Sequence, residues 1–485
     1  MKKRTISVIL LTAMLVSLAA CGEAAQPSDT TGADTSSADT TEAVGEVSSL
    51  PAEYDLGGYE FRLLRQTPAK IAWSLNEFAP AEQTGEVLND AFYDRNAKMM
   101  EKYNFTITTI EKDSGVPATV SQSVLAGDDE YDTALLRSDE VKQNAYLGTY
   151  MNLYDLKYLD LEKSWWSQSI VRDMTVDGVL PLITGDIIVC ENESMNTIIY
   201  NSSLGRDFNI ENLYQTVRDG KWTMDKMLSC MKLVNADLDS NGTWDENDRW
   251  GMLYADNAAA LPWFACTETY TFTGSGDSIE YSANSERAYA VYELVQSFLS
   301  DKTMAFDWAR IKTDTAIRLA GMMSNKQALF ANMVLSFVRR NLRDVTADFG
   351  VLPMPKLDEA QESYATSVSV STPYVFVPSS VGHPDEVGFI LEALASESKP
   401  ITETYYKVAM QSKYTRDEES YEMIELMMQN IIFDTGFVMD FGGITNEIRK
   451  GVMGDNGYAS LLGAGESAAI AALEEFYEKV GEAKK

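Results

Sequence analysis

The sharpest chemistry in this sequence lies in one acidic stretch, Asp237-Leu-Asp239-Ser-Asn241-Gly242-Thr243-Trp-Asp245-Glu-Asn-Asp248. Calcium is a hard cation that takes about six to eight oxygens. A loop of about 12 residues supplies them from positions 1, 3, 5, 7, 9 and 12, with Gly at 6 for the turn. The spacing predicts a structural Ca2+ held by Asp237, Asp239, Asn241, the Thr243 carbonyl, Asp245 and Asp248. The last position is Asp where an EF-hand has Glu, a shorter arm suited to one oxygen. Most enzyme chemistry has no carrier here. The one histidine, His383, sits beside Pro384 in a turn-like setting, so a Ser-His-Asp or Cys-His site would have to use it. No zinc spacing, Walker loop or dinucleotide fingerprint is present. Paired carboxylates carry no information in a chain with 73 Asp and Glu residues. The expectation is a protein that is not an enzyme.

Aromatic side chains offer a second chemistry, because sugar C–H faces stack on rings while placed polar groups fix hydroxyls. The candidates are Trp73, Trp165, Trp166, Trp263, Phe264 and Trp308, with Trp73, Trp263 and Phe264 preferred. Positioning falls to alternating strands and helices. Tyr59–Leu64, Phe105–Ile110 and Tyr131–Leu136 read as strands. Helices are expected from Leu88, Ala91, Phe92, Met99 and Tyr103, then over Ala118–Leu125 and Glu140–Leu147. That order predicts a parallel sheet, whose ligands sit beyond the strand carboxyl ends. Arg65 to Trp73 and Arg137-Ser138-Asp139 fall there. Further helices are expected at Thr223–Val234, Glu286–Leu299, Val387–Leu394 and Tyr421–Ile431. Strands are expected at Trp250–Tyr254, Gln327–Phe330, Gly350–Pro353 and Tyr374–Val377.

The N-terminus reads as an export signal. Lys2, Lys3 and Arg4 precede an apolar run, Ile6 to Leu18, too short to cross roughly 30 Å of hydrocarbon. Leu18-Ala19-Ala20-Cys21 resembles the lipobox of bacterial lipoproteins, which implies cleavage before Cys21 and lipidation of its thiol. Residues 22–52 are rich in Gly, Ala, Ser, Thr, Asp and Glu, and they read as a disordered acidic linker spanning about 30 Å as a coil. The rest of the chain is too large for one simple core and suggests two lobes. A formal net charge of −33 argues against nucleic acid. Cys190, Cys230 and Cys266 allow one disulfide plus a free thiol, or three buried thiols; their apolar neighbourhoods favour the second.

Tyr54-Asp55-Leu56-Gly57-Gly58-Tyr59-Glu60-Phe61, Arg95-Asn96, Glu101-Lys102-Tyr103-Asn104, Asp155-Leu156, Trp165-Trp166, Gly220-Lys221-Trp222-Thr223, Asn247-Asp248-Arg249-Trp250-Gly251 and Leu352-Pro353-Met354-Pro355-Lys356 occur in order along the chain. Together they resemble the extracellular solute-binding lipoproteins of carbohydrate ABC transporters. The resemblance implies a type-2 periplasmic-binding-protein fold, an α/β architecture of two lobes joined by a hinge, with the ligand in the interlobe cleft. It implies a signal and lipobox over 1–21, the linker over 22–52 and a binding domain over 53–485. Lobe 1 would cover about 53–160 and 325–385, and lobe 2 about 185–324 and 386–485. The implied function is capture of a carbohydrate, an oligosaccharide, by cleft closure. The partners would be the transmembrane permease subunits, and a lipid anchor would hold a monomer at the outer face of the cell membrane. A binding protein for a peptide or other non-sugar solute is the alternative reading, and a surface carbohydrate-active enzyme the more distant one. In maltose-binding proteins, distant relatives by fold, the segment after the third strand holds sugar hydroxyls. A similar layout gives Arg137, Ser138 and Asp139 a ligand role here, and Trp263 is similar to a stacking tryptophan of the second lobe.

Overall fold

Tyr59–Gln66 (β1) buries Phe61 and then the run Leu63, Leu64 and Arg65. The helix Val87–Tyr103 carries the chain back. Glu86 caps its first turn by accepting from the amides of Leu88 and Asn89, and Asn104 ends it in the left-handed region at φ 55°. Phe105–Lys112 (β2) then pairs in parallel with β1, Tyr59 opposite Phe105. The helix Val116–Ala126 leads to Thr133–Arg137 (β3), parallel to β1 on its other side. This is the β-α-β order that demands a helical crossover between parallel strands.

The computed structural model describes residues 46–70, 78–254, 260–276, 278–312, 315–342, 345, 347–404, 418–454 and 456–483. The remaining strands are β4 (Asn196–Tyr200), β5 (Trp250–Tyr254), β6 (Phe272–Thr273), β7 (Glu280–Tyr281), β8 (Ala305–Asp307), β9 (Ala328–Val334), β10 (Gly350–Leu352), β11 (Thr366–Ser367), β12 (Pro373–Phe376) and β13 (Ile431–Ile432). They form two main sheets, one ordered β12-β3-β1-β2 and one ordered β10-β4-β9-β5-β8. The chain passes from the first sheet to the second before β4 and returns through β11 to β12. Helix Pro384–Ser396 packs with the first sheet's helix Val87–Tyr103, and helix Glu418–Gln429 packs against β10 of the second.

These memberships correct the expected lobe limits. The range 325–385 is expected in lobe 1, yet β9 and β10 both belong to the second sheet, and only β11 to β12 leads back. Pairing decides this. The almost fully buried strand β9 lies between β4, antiparallel to it, and β5, parallel to it. Conversely, Pro384–Ser396 is expected to begin the second lobe's tail, and it packs on the first. There Phe389 stacks on Tyr54 at 4.3 Å and meets Tyr103 edge-on at 4.9 Å. The folded body also begins earlier than residue 53. Glu46 accepts a hydrogen bond from the Ser164 amide at 3.1 Å and pairs with Lys163 at 3.7 Å. The third expected helix, Glu140–Leu147, is broken at Lys142, whose φ of 45° separates helix Ser138–Val141 from the 3-10 turn Lys142–Tyr146.

Thr223 caps Met224–Val234 as its hydroxyl accepts from the Lys226 amide, and Glu286–Leu299 is a helix over its expected span. Cys190, Cys230 and Cys266 are three buried free thiols. Among the described residues, no helix is long and apolar enough to cross a membrane.

Candidate functional site

The carboxyl ends of β3 and β9 open on one cleft, Val334 of β9 being part of its wall. β3 delivers Asp139, and Leu261 and Pro262 stand at the start of the helix Ala260–Cys266 that comes after β5. Residues around β11 and β13, the connecting strands, supply further lining. Three adjoining cavities of about 330, 190 and 210 Å³ make up the cleft. Ile432, Phe433 and Asp434 are shared by the first two, and Asp139, Leu261, Val370, Phe437 and Arg449 by the second and third.

The lining mixes apolar faces with hydrogen-bonding groups. Tyr270, Phe272, Phe433 and Phe437 provide rings. The run Ser367-Val368-Ser369-Val370-Ser371 lines the middle cavity. It is fixed by Asn196 Nδ2, which donates to the Ser367 carbonyl at 3.1 Å, and by the Ser138 hydroxyl, which donates to the Val370 carbonyl at 2.9 Å. Asp139 accepts from Arg137 Nε at 3.0 Å and from the Ser371 hydroxyl at 3.1 Å. Lys142 pairs with Asp440 at 3.0 Å, and Arg172 with Asp173 at 2.6 Å. Asp173 in turn accepts from the Phe433 amide at 3.0 Å, tying the β13 segment to helix Gln168–Met174. Asp434 Oδ1 accepts from the Phe437 amide at 3.1 Å, while Oδ2 is buried with no partner. Burial, with the Asp173 carboxylate nearby, pushes the Asp434 carboxyl up to about 8 despite the amides of Phe437 and Gly436.

Of the expected ligand residues, Asp139 lines the cleft. Arg137 stands behind it, gripping Asp139, and Ser138 is buried with its hydroxyl bonded to the Val370 backbone. Trp263 and Phe264 are core residues rather than cleft residues. Trp263 is 0% exposed and meets Phe298 edge-on at 5.2 Å. Both belong to the turn after Leu261 and Pro262, so helical phase sends those two to the cleft and the rings inward. Trp165 and Trp166 are likewise buried, their indoles bonded to Glu392. Trp73 and Cys21 lie outside the described residues. The sequence reading missed Asp434, Arg449, Phe433, Phe437 and the serine run. The Ser-Val-Ser-Val-Ser alternation was the signal available for the last of these.

A second site is the acidic loop. Oxygens of Asp237, Asp239 and Asp248 lie within 4.8 Å of one another. Asp248 is buried and accepts from the amides of Leu238 and Asp245, both at 2.9 Å. Asp237 Oδ1 is shielded without a partner, while its Oδ2 accepts from the Gly242 amide at 2.8 Å. Three carboxylates drawn together around an orphaned oxygen fit a hard divalent cation. Asn241 and Asp245 use side-chain oxygens to hold the loop, accepting from the amides of Thr243 and Asn247. Trp250 Nε1 donates to the Asp245 carbonyl at 3.0 Å and fastens the loop to β5.

The fold is similar to those of solved solute-binding proteins. An ABC substrate-binding protein from Listeria monocytogenes, in complex with cycloalternan, matches 87% of this chain and 99% of its own, at 15% identity and a TM-score of 0.53. The galacto-N-biose-/lacto-N-biose I-binding protein of an ABC transporter from Bifidobacterium longum, in complex with lacto-N-biose, matches 87% of this chain and 98% of its own, at 13% identity and 0.57. The maltose/maltodextrin-binding domain MalE from Bdellovibrio bacteriovorus, bound to maltotriose, matches 86% and 100%, at 13% and 0.54. No protein-family model matches the chain, and no curated protein does. The chain therefore has the expected α/β periplasmic-binding-protein fold, with its cleft where two lobes meet.

Proposed function

We propose that this chain is a non-enzymatic receptor that captures a carbohydrate by closing its two lobes and delivers it to the transmembrane subunits of an ABC importer. The observation that carries this reading is the cleft itself. It lies at the carboxyl ends of β3 and β9, and it sets Tyr270, Phe433 and Phe437 beside Asp139, Asp434 and a run of serines. Apolar rings with a few fixed polar groups suit a polyhydroxylated solute. The likeness to proteins solved with cycloalternan, lacto-N-biose and maltotriose supports the same class. Cys21 would carry a lipid anchor, and the acidic linker would hold a monomeric receptor at the outer membrane face, at high effective concentration near its permease. Calcium bound by the Asp237–Asp248 loop would be structural, its ligands drawn from Asp237, Asp239 and Asp248.

Thermal shift with maltotriose, maltotetraose, lacto-N-biose, amino acids and short peptides tests this reading. A saccharide at 100 times its dissociation constant should add about 2.7 kcal/mol of stability. Stabilisation by peptides alone would remove the carbohydrate assignment. Adding calcium to chelator-treated protein should raise the melting temperature, and Asp237→Asn should abolish that rise; no response to calcium would remove the metal assignment. Radiolabelled palmitate incorporated by the wild type and lost in Cys21→Ala would test the anchor.

A further inference from the structure

Asp434 stands apart among the acids of the cleft. Asp139 is matched by Arg137 at 3.0 Å, Asp173 by Arg172 at 2.6 Å, and Asp440 by Lys142 at 3.0 Å. Asp434 is 6% exposed and has no cation partner among the described residues. One of its oxygens caps the helix Thr435–Met439, and the other makes no hydrogen bond. Buried polar atoms are nearly always paired, and an exception that also borders a cavity calls for a water, an ion or a ligand as its partner. Asp434 lies on the wall shared by the 330 Å³ and 190 Å³ cavities, so a solute reaching across both would pass it.

We propose that Asp434 is a specificity-determining acceptor: its Oδ2 takes a hydrogen bond from a hydroxyl of a neutral saccharide, and the cleft thereby selects neutral sugars over anionic ones. This rests on the carbohydrate reading above. The charge inventory supports the choice. Two of the cations lining the cleft are paired with acids, Arg172 with Asp173 and Lys142 with Asp440, while Arg449 donates to the neutral Asn446 side chain at 2.7 Å. An anionic solute would oppose ionisation of the Asp434 carboxyl, and Arg172 and Lys142 are already paired with acids. Asp434 Oδ2 is shielded in the structure, and a hydroxyl donor that reaches it as the lobes close would complete its open valence.

The same geometry links capture to a proton. Asp173 and Arg172 face Asp434 from helix Gln168–Met174, Tyr270 from the segment before β6, Arg449 from helix Ile444–Val452, and Asp139 from beyond β3. With the empty site's carboxyl pushed up to about 8 by burial, a donated hydroxyl stabilises the ionised form and a proton leaves on binding. Affinity then rises with pH, by at most about tenfold per unit below that value, and levels off above it.

The test is calorimetric titration of maltotriose and lacto-N-biose into wild type and Asp434→Asn at pH 6.5, 7.5 and 8.5, in two buffers of different ionisation enthalpy. Asparagine keeps the oxygen that caps Phe437, and melting curves report whether the variant folds. The expected result is proton release by the wild type. The variant should bind about 10- to 100-fold more weakly, the range for a hydrogen bond to a charged acceptor, and lose the pH slope. Digalacturonate should bind more weakly than either neutral sugar. Wild-type binding with no proton release, or equal affinity in the variant, overturns the role of Asp434 and leaves the carbohydrate reading standing. Tighter binding of digalacturonate overturns the preference for neutral sugars. Failure of both neutral sugars to bind wild type, with peptides binding, overturns both readings. Should Asp434→Asn not fold, proton release by the wild type alone decides.

Discussion

Glu392→Ala tests the packing of the Trp165-Trp166 pair, and its cost can be worked from the structure. Glu392 is 0% exposed. Its Oε1 accepts from Trp165 Nε1 at 3.2 Å, and its Oε2 accepts from Trp166 Nε1 at 2.9 Å and from the Asp160 amide at 3.2 Å. Truncation strands three donors, and each buried orphan costs about 1–3 kcal/mol. Removing the carboxyl offsets part of this, since desolvation pushes it up to about 7 against those same donors. A net loss of about 3–4 kcal/mol results. Unfolding entropy is about 2.1 cal/mol/K per residue, near 0.9 kcal/mol/K for a body this size, so the melting temperature should fall by about 3–4 °C. Glu392→Gln keeps one carbonyl oxygen while its amide faces a donor, and should lose roughly half as much. Differential scanning calorimetry reads both. Saccharide affinity of the folded protein should be unchanged, because the pair lies in the core away from the cleft. A melting temperature within 1 °C of wild type for the alanine variant, or equal losses for Gln and Ala, would refute the reasoning.

Trp263→Ala should destabilise by about 3–5 kcal/mol, as for other buried aromatics, and Trp263→Phe should leave saccharide affinity within a few-fold; a large affinity loss in the phenylalanine variant would return Trp263 to the cleft. Stability of the unliganded protein should fall as pH rises from about 5 to 8. Burial raises Asp186 to about 6, Glu191 to about 7 and Asp434 to about 8. Each therefore ionises first in the unfolded chain, which then binds fewer protons, so stability present near pH 4 is lost up to the folded value. Urea titrations at pH 5, 6.5 and 8 measure this, and a rise in stability across that window would contradict it. Cys190, Cys230 and Cys266 should be unreactive toward Ellman's reagent in the native Glu46–Lys485 chain and all three titratable in urea, because burial, which also raises the Cys230 and Cys266 thiols, shields them from the reagent.

How much of this was legible depends on how local each signal is. β5 and the helices Met224–Val234 and Glu286–Leu299 could be read because a short apolar run, capping and 3.6-residue periodicity act within a few residues. Sheet membership could not. Ala328–Val334 looks like a buried strand in either lobe, and only pairing with β4 and β5, far away in sequence, decides which. Trp263 failed for a related reason: in sequence it is a ring that follows an Ala-rich stretch and Pro262, but one turn of helix sets Leu261 and Pro262 facing the cleft and Trp263 facing the core. The acidic loop shows the opposite case. All its candidate ligands fall in one short stretch, so spacing alone was informative, and Asp237, Asp239 and Asp248 do converge. The cleft has no such stretch. Its wall is assembled from Asp139 and Lys142, Leu261 and Pro262, Ser367–Ser371, Ile432–Asp434 and Asn446 with Arg449, none of which carries a motif alone. Asp434 is the extreme case. In sequence it is an ordinary aspartate ahead of a short helix, and capping accounts for one of its oxygens. Its second oxygen gains meaning only when the fold sets it at the junction of two cavities with every neighbouring acid already paired. A ligand role of this kind is a property of the residual, of what local structure leaves unsatisfied, and it can be read only after the local structure has been assigned.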